Sequence, residues 1–251
     1  MPKLKKRPTT ALLDGDILAY RAAFWAETND FSFLPSQIKR MIKKWTPKEV
    51  SNIEIALSCP REENFRRDLW PGYKESRDVM YTPEYLEDAK EYLQDTYKCK
   101  RHPRIEADDL MGVYASSNRM IAVTIDKDLR GVAGWHFNPD KEDSPVYVNK
   151  DDAYRFFCKQ WLTGDSVDGI PGLWKIGPKK ADRLLDEWNF EDWEQNIIEM
   201  YASDKHKVRD DRGIPHPDIA IVMARCVKIF DSSNYNLKTK TIIHWEPKGG
   251  S

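Results

Sequence analysis

Thr10–Leu18 reads TALLDGDIL. Its first four residues, Thr10-Ala11-Leu12-Leu13, make the apolar run of a short buried strand, and Gly15 marks the turn that follows. Two aspartates, Asp14 and Asp16, flank that glycine. Acids at the carboxyl end of such a strand face the ligand crevice of an α/β sheet. The same residues also fit an ordinary Asx-Gly turn, so the stretch has to be read with its surroundings.

Outward from it, strands and helices alternate. ILAYRAAFWAE reads as a helix, PSQIKRMIKKW as a basic amphipathic helix and NIEIALS as a second strand. REENFRRDLWPGYKESRD is polar and weakly periodic, and is expected to form a loop or arch over about 61–95. PEYLEDAKEYLQDTY and EADDLMGVYASS read as helices, and MIAVTID as a third strand. WHFNP and PVYVN read as short strands joined by an acidic turn. From Lys150 onward the pattern is mostly helical, with a glycine-punctuated turn at about 164–186. The final TIIHWEP is strand-like and is expected to return to the first sheet. The fold class is therefore α/β, with a largely parallel sheet in residues 1–149 and a helical subdomain in 150–251.

Composition agrees. The 251 residues are 40% hydrophobic and 12% aromatic, which excludes a disordered chain. No apolar run approaches the ~20 residues of a membrane helix. The start, MPKLKKRPTT, is basic but leads straight into two acids, which does not fit a secretory signal. The four cysteines are scattered without a Cys-x-x-Cys pair, so a reducing, cytoplasmic setting is expected. Cys99 and His102 have ligand spacing but no matching second pair, which argues against a zinc site.

Three further acidic clusters join Asp14. IEADDL holds Glu106, Asp108 and Asp109 at a helix start, TIDKDL holds Asp126 and Asp128 just after a strand, and GDSVDG holds Asp165 and Asp168 in a tight turn. Singly, each fits a helix cap or a turn. Each also sits at an element boundary, where one edge of an α/β sheet could gather it. Carboxylates brought together repel by about 4 kcal/mol per pair at ~4 Å and an effective dielectric of 20, so they need cations. Hard oxygen ligands select Mg²⁺ or Mn²⁺, and a pair of such ions suits in-line displacement at phosphorus. Without these eight acids the rest of the chain carries a net charge of +7, which suits a polyanionic substrate.

GIPGLWKIGPKKADRLL is the most specific stretch. Gly169, Gly172 and Gly177 permit close backbone approach and positive φ, and Pro178 suits the first helical position. Backbone N–H groups at that helix start are placed to bind phosphate, with Lys175, Lys179, Lys180 and Arg183 adding charge.

Taken together, LLDGDIL, YKESR, IEADDLMGVYA, TIDKDL and GDSVDGIPGLWKIGPKKA resemble the 5′-nuclease superfamily. That superfamily comprises flap endonucleases, the 5′-nuclease domain of bacterial DNA polymerase I and phage 5′→3′ exonucleases. The compact size and the ending MARCVKIFDSSNYNLKTKTIIHWEP look most like the phage type. The resemblance implies a PIN-like core, a helical arch and a helix–hairpin–helix. It implies that Asp14, Glu106 and Asp108 hold one metal, and that Asp109, Asp126, Asp128, Asp165 and Asp168 hold or support a second. Lys74 and Arg77 of YKESR would reach the scissile phosphate, and Tyr20 and Arg21 would lie near the terminal nucleotides. The glycine turn, with Gly172, Gly177 and the four basic residues, would grip duplex backbone, in the family often through K⁺. The implied activity is Mg²⁺- or Mn²⁺-dependent cleavage of double-stranded DNA at a 5′ end, nick or flap, leaving 5′-phosphates. The setting would be phage replication or recombination, by a monomer in the host cytoplasm.

One residue departs from the family pattern. An aspartate is usual after the second strand, and this chain has Cys59. A thiol is a poor Mg²⁺ ligand, so either Glu62 or Glu63 substitutes or the first metal is held more weakly. Two other readings are open. Asp-x-Asp after a first strand is also the signature of haloacid-dehalogenase-type phosphatases, which need neither four acidic clusters nor a duplex clamp. A non-catalytic DNA-binding accessory protein on the same scaffold is the other, and only Cys59 supports it.

Overall fold

The computed structural model describes residues 6–203, 208, 212, 214 and 216–248. The first five residues of the basic start lie outside them. In chain order the elements begin β1 (Thr10–Asp14), α1 (Gly15–Ala26), α2 (Leu34–Trp45), β2 (Asn52–Leu57), α3 (Phe65–Leu69), α4 (Leu86–Thr96) and β3 (Cys99–Arg101). Next come α5 (Ala107–Ser116), β4 (Ile121–Val123), β5 (Gly134–Phe137), β6 (Val146–Val148), α6 (Lys150–Thr163), β7 (Gly164–Asp165) and β8 (Ile170–Pro171). The last are α7 (Pro178–Glu187), α8 (Trp193–Ala202), α9 (His216–Val227), β9 (Tyr235–Asn236) and β10 (Thr241–Ile242). They divide into two compact units, one of residues 1–64, 81–150 and 229–242, the other of 65–80, 151–228 and 243–251.

The first unit holds a six-stranded sheet in the order β3-β2-β1-β4-β5-β6, parallel except for the antiparallel edge strand β6. β1 is central, and Ala11, Leu12, Leu13 and Asp14 are all buried. Burial on both faces is why its apolar residues run on instead of alternating. The α1 helix starts hard against β2: a Cβ on Gly15 would come within 2.5 Å of Ile55 Cγ2 and 2.6 Å of the Ala56 carbonyl oxygen. In α2, Leu34, Ile38, Ile42 and Trp45 face inward at helical spacing, while Lys39, Arg40, Lys43 and Lys44 are exposed.

Residues far along the chain complete this unit. A Cβ on Gly112 of α5 would lie 2.2 Å from the Phe230 carbonyl oxygen. Asp109, fully buried, accepts from Phe230 N at 3.1 Å and from Glu106 N at 3.2 Å. The terminal strand does not join the sheet as its composition suggested. Thr241–Ile242 pairs antiparallel with Tyr235–Asn236. Asn236 sets that hairpin, its Oδ1 accepting from Lys238 N (2.9 Å) and Thr239 N (3.1 Å). β3, a three-residue polar strand, carries no periodicity that would have announced it.

The second unit packs α6, α8 and α9 around an aromatic-rich core that includes Trp70, Trp161, Trp193 and Tyr201. Trp161 Nε1 donates to the Ala220 carbonyl and Tyr201 Oη to the Trp161 carbonyl, so the large rings bury no orphan donor. Part of the arginine-rich stretch belongs here. Arg66 of α3 is 1% exposed, lies over the Phe65 ring, and donates to the carbonyls of Cys226 (2.9 Å) and Lys228 (2.8 Å). Among the described residues, no helix is long and apolar enough to cross a membrane.

Candidate active site

In the first unit, the acids lie at the carboxyl ends of the parallel strands and at the start of α5. Asp14 ends β1 and caps α1, its Oδ1 accepting from Ile17 N at 3.0 Å and its Oδ2 from Thr124 Oγ1 at 2.8 Å. It is 3% exposed. Burial, and then the neighbouring charges of Asp16 and Asp126, push its carboxyl up to about 7. Asp16 accepts from Ser58 N (3.1 Å) and Ser58 Oγ (2.5 Å) at the end of β2. Ser58 Oγ in turn accepts from Ala107 N (2.9 Å), the first residue of α5. Burial raises Asp16 too, and the Glu106 charge adds to it. Asp126 Oδ1 accepts from Asp128 N at 2.8 Å. Asp14, Asp16, Asp126 and Glu106 therefore share one repulsive field.

Cys59 sits in that field. Burial first, then the charges of Glu106, Glu63 and Asp109, push its thiol up to about 12, so it stays protonated. A neutral buried thiol does not relieve the negative charge. The donor set around it is carboxylate oxygen, the chemistry a hard divalent cation needs. Among the described residues, no three His, Cys, Asp or Glu side chains enclose a common ion position. Asp14, Asp16 and Asp126 are instead held by the N–H and O–H donors named above.

In the second unit, α6 runs into the β7–β8 hairpin and then into a turn that opens α7. Asp165 Oδ1 accepts from Val167 N (2.8 Å) and Asp168 N (3.3 Å). A Cβ on Gly172 would lie 2.0 Å from the Thr163 carbonyl oxygen. Leu173 and Ile176 anchor the turn in the core, while Trp174 and Lys175 are exposed. Gly177, at the cap of α7, is exposed and has nothing within 4 Å of where a Cβ would be. Lys74 and Arg77 both engage Asp168, at 3.5 Å and 2.6 Å.

The family pattern of the 5′-3′ exonuclease, N-terminal resolvase-like domain matches residues 9–139, more than half of the chain. The chain belongs to that 5′-3′ exonuclease family. It is 26% identical to a 5′-3′ exonuclease of Buchnera aphidicola subsp. Baizongia pistaciae, over 95% of this chain and 87% of that protein. It is 30% identical to DNA polymerase I of Deinococcus radiodurans over 74% of this chain, and spans only 22% of that polymerase. Its fold is similar to that of the phage T5 5′-exonuclease, solved with divalent zinc ions bound. That likeness has a TM-score of 0.60 at 18% identity and covers 87% of this chain and 89% of that one.

Within this 5′-3′ exonuclease fold, the residues singled out from sequence fall into distinct settings. Asp14 and Asp126 take part in the shared field, with Glu106, at the start of the helix that carries half-buried Asp108. Asp128 lies at the start of the short 3₁₀ turn Asp128–Gly131. Asp109 is fully buried and accepts backbone N–H groups from Phe230 and Glu106. Tyr20 is exposed, but Arg21 is drawn 3.0 Å from Asp140. Lys179 and Arg183 are exposed, Lys180 is half-buried, and Arg183 lies 3.6 Å from Glu187. Positive φ occurs at Gly164 and Gly169, not at Gly172 or Gly177. Sequence reasoning left Asp16 out of the acidic set. The Asp-Gly-Asp spacing was the available signal, but only the bond to Ser58 shows that Asp16 turns toward β2.

Proposed function

We propose that this chain is a divalent-metal-dependent 5′ nuclease, hydrolysing DNA phosphodiesters from a 5′ end, nick or flap and leaving 5′-phosphates. The observation that carries the reading is the shared field of Asp14, Asp16, Asp126 and Glu106 in a chain of the 5′-3′ exonuclease family. Asp14, Glu106, Asp108, Asp126 and Asp128 would hold Mg²⁺ or Mn²⁺, with Asp16 beside them. The ions would supply charge neutralisation at the phosphoryl oxygens and an activated water. The carboxylates' own part is to stay ionised and oriented, which the donors Ile17 N, Thr124 Oγ1 and Ser58 Oγ favour. Lys74 and Arg77 are the cations of the second unit suited to phosphate.

The turn before α7 is read as the grip on duplex backbone. It is indifferent to base sequence, because N–H groups and lysines recognise phosphate alone. Gly177 tests this. Its missing side chain relieves no contact within the protein, so an alanine there leaves the fold intact to within about 1 kcal/mol, the usual cost of losing a glycine cap. If the open space above it is where a DNA backbone approaches, Gly177→Ala weakens duplex binding by tenfold or more in a chelator-containing gel-shift assay at fixed salt. Unchanged affinity removes this turn from the interface.

The activity itself is tested with blunt, nicked and flapped duplexes labelled at the 5′ end and internally, each in Mg²⁺, Mn²⁺ or chelator. Metal-dependent products carrying 5′-phosphates are expected. Binding to the flapped duplex without products in either metal would instead identify a DNA-binding accessory protein.

A further inference from the structure

We propose that Ser58 is a positioning residue that sets the spacing between the start of α1, with Asp14 and Asp16, and the start of α5, with Glu106 and Asp108. The proposal rests on the nuclease reading for its function, though not for its geometry.

Strand register brings Ser58 to this place. β1 and β2 run parallel with Asp14 opposite Ala56, so Asp16 and Ser58 each lie two residues beyond a paired position. Gly15, between the two aspartates, has no side chain to hold α1 away from β2. On the other side, β3 sets Arg101 opposite Leu57, and Arg101 Nε donates to the Ser58 carbonyl at 2.8 Å. The next residue, Cys59, donates its N–H to the Ile105 carbonyl at 3.0 Å, which ties the end of β2 to the residue just before Glu106.

On this frame the Ser58 side chain joins the two helix starts. Its Oγ donates to Asp16 Oδ2 at 2.5 Å and accepts from Ala107 N at 2.9 Å, while its own N–H donates to the same Asp16 oxygen at 3.1 Å. A hydroxyl that donates one way and accepts another has its rotamer fixed at both ends. The bonds run in one sense, from helix N–H through hydroxyl to carboxylate, so each polarises the next. They carry the positive end of α5 to Asp16. Asp16 and Glu106 repel each other, and this link holds the two starts together against that repulsion. The carboxylates assigned to the metal therefore keep their spacing before any ion arrives, which lowers the cost of ordering them on binding.

The test compares Ser58→Ala and Ser58→Thr with the wild type. Mn²⁺ affinity by calorimetry should fall about 10–100-fold in Ser58→Ala, the scale for removing an outer hydrogen-bond partner of metal ligands. Ser58→Thr keeps the hydroxyl and should recover most of that affinity. Cleavage of labelled duplex by Ser58→Ala should drop at limiting Mn²⁺ and return toward the wild-type rate at saturating Mn²⁺, a split that a general loss of structure does not produce. In chelator, the Ala107 amide proton should shift upfield in the NMR spectrum of Ser58→Ala and hold its position in Ser58→Thr. Asp16→Asn leaves Ser58 in place and reads the same chain of bonds even if the alanine variant does not fold: the Ala107 amide should move in the same direction by a smaller amount. A fall in Mn²⁺ affinity of less than about tenfold in Ser58→Ala, or an equal fall in Ser58→Thr, would overturn the proposal. So would an Ala107 amide that neither Ser58→Ala nor Asp16→Asn moves. Should the wild type bind Mn²⁺ and cleave none of the duplexes, the nuclease reading fails alone, while the Mn²⁺ and amide measurements still decide what Ser58 does.

Discussion

If the chain is the metal-dependent nuclease proposed above, replacing Asp14 with asparagine is expected to lower cleavage by about 10²–10³-fold, the loss when one preorganised group is removed from a reacting centre. The same substitution makes the metal-free protein more stable at pH 8. The sign follows from the carboxyl's shift from 3.8 to about 7 on folding. Between those values the folded state binds the proton that the unfolded chain has released, so stability falls as pH rises through this window and stays low above it. Three pH units correspond to about 4 kcal/mol, which sets the scale of what asparagine recovers at pH 8. At pH 3, below both values, the gain disappears. Thermal melts in chelator at pH 3 and pH 8 read the difference. Adding Mn²⁺ should then raise the melting temperature of the wild type far more than that of the variant. Equal Mn²⁺ stabilisation of both proteins would show that Asp14 takes no part in holding the ion.

The second large effect lies away from the acids. Arg66→Ala is expected to cost about 3–5 kcal/mol, the range for breaking a buried charge's network. It strips a fully buried guanidinium from the carbonyls of Cys226 and Lys228 and from the face of Phe65. At ~2–4 °C per kcal/mol for a chain of this size, the melting temperature drops by roughly 6–20 °C. Arg66→Lys recovers little, because an ammonium cannot reproduce the forked contact with two carbonyls. A loss under ~1 kcal/mol would mean that these bonds exchange for water at no cost.

Much of the architecture was legible because its periods are strong. The apolar run Ala11–Leu13 and the spacing of Leu34, Ile38, Ile42 and Trp45 each point one way, whereas Gly15, read as a turn, is the first residue of α1. The acids were legible as a set because each falls where an element begins or ends. What could not be read is how each carboxylate is employed. Asp109 and Asp108 are adjacent in sequence, yet Asp109 is fully buried and bonded to the backbone at Phe230 while Asp108 is only half-buried. Which neighbour faces inward depends on helix phase, and which backbone it meets depends on a segment more than a hundred residues away. Asp16 was undervalued for a similar reason, since its partner Ser58 lies on another strand. Arg66 lies in the polar stretch read as a loop or arch, and tertiary packing buries it.

The backbone of Phe230 meets both Asp109 and Gly112, and it is made more than a hundred residues after them. As the chain leaves a ribosome, the sheet strands and α5 emerge long before it does. Until then the bond from Phe230 to Asp109 cannot form, and the groove at Gly112 stays open. The first unit can therefore close only after residues 151–228 of the second have also been made, so its folding cannot proceed strictly in chain order. A fragment ending at residue 150 would contain every strand of the sheet and still lack the piece that seals it.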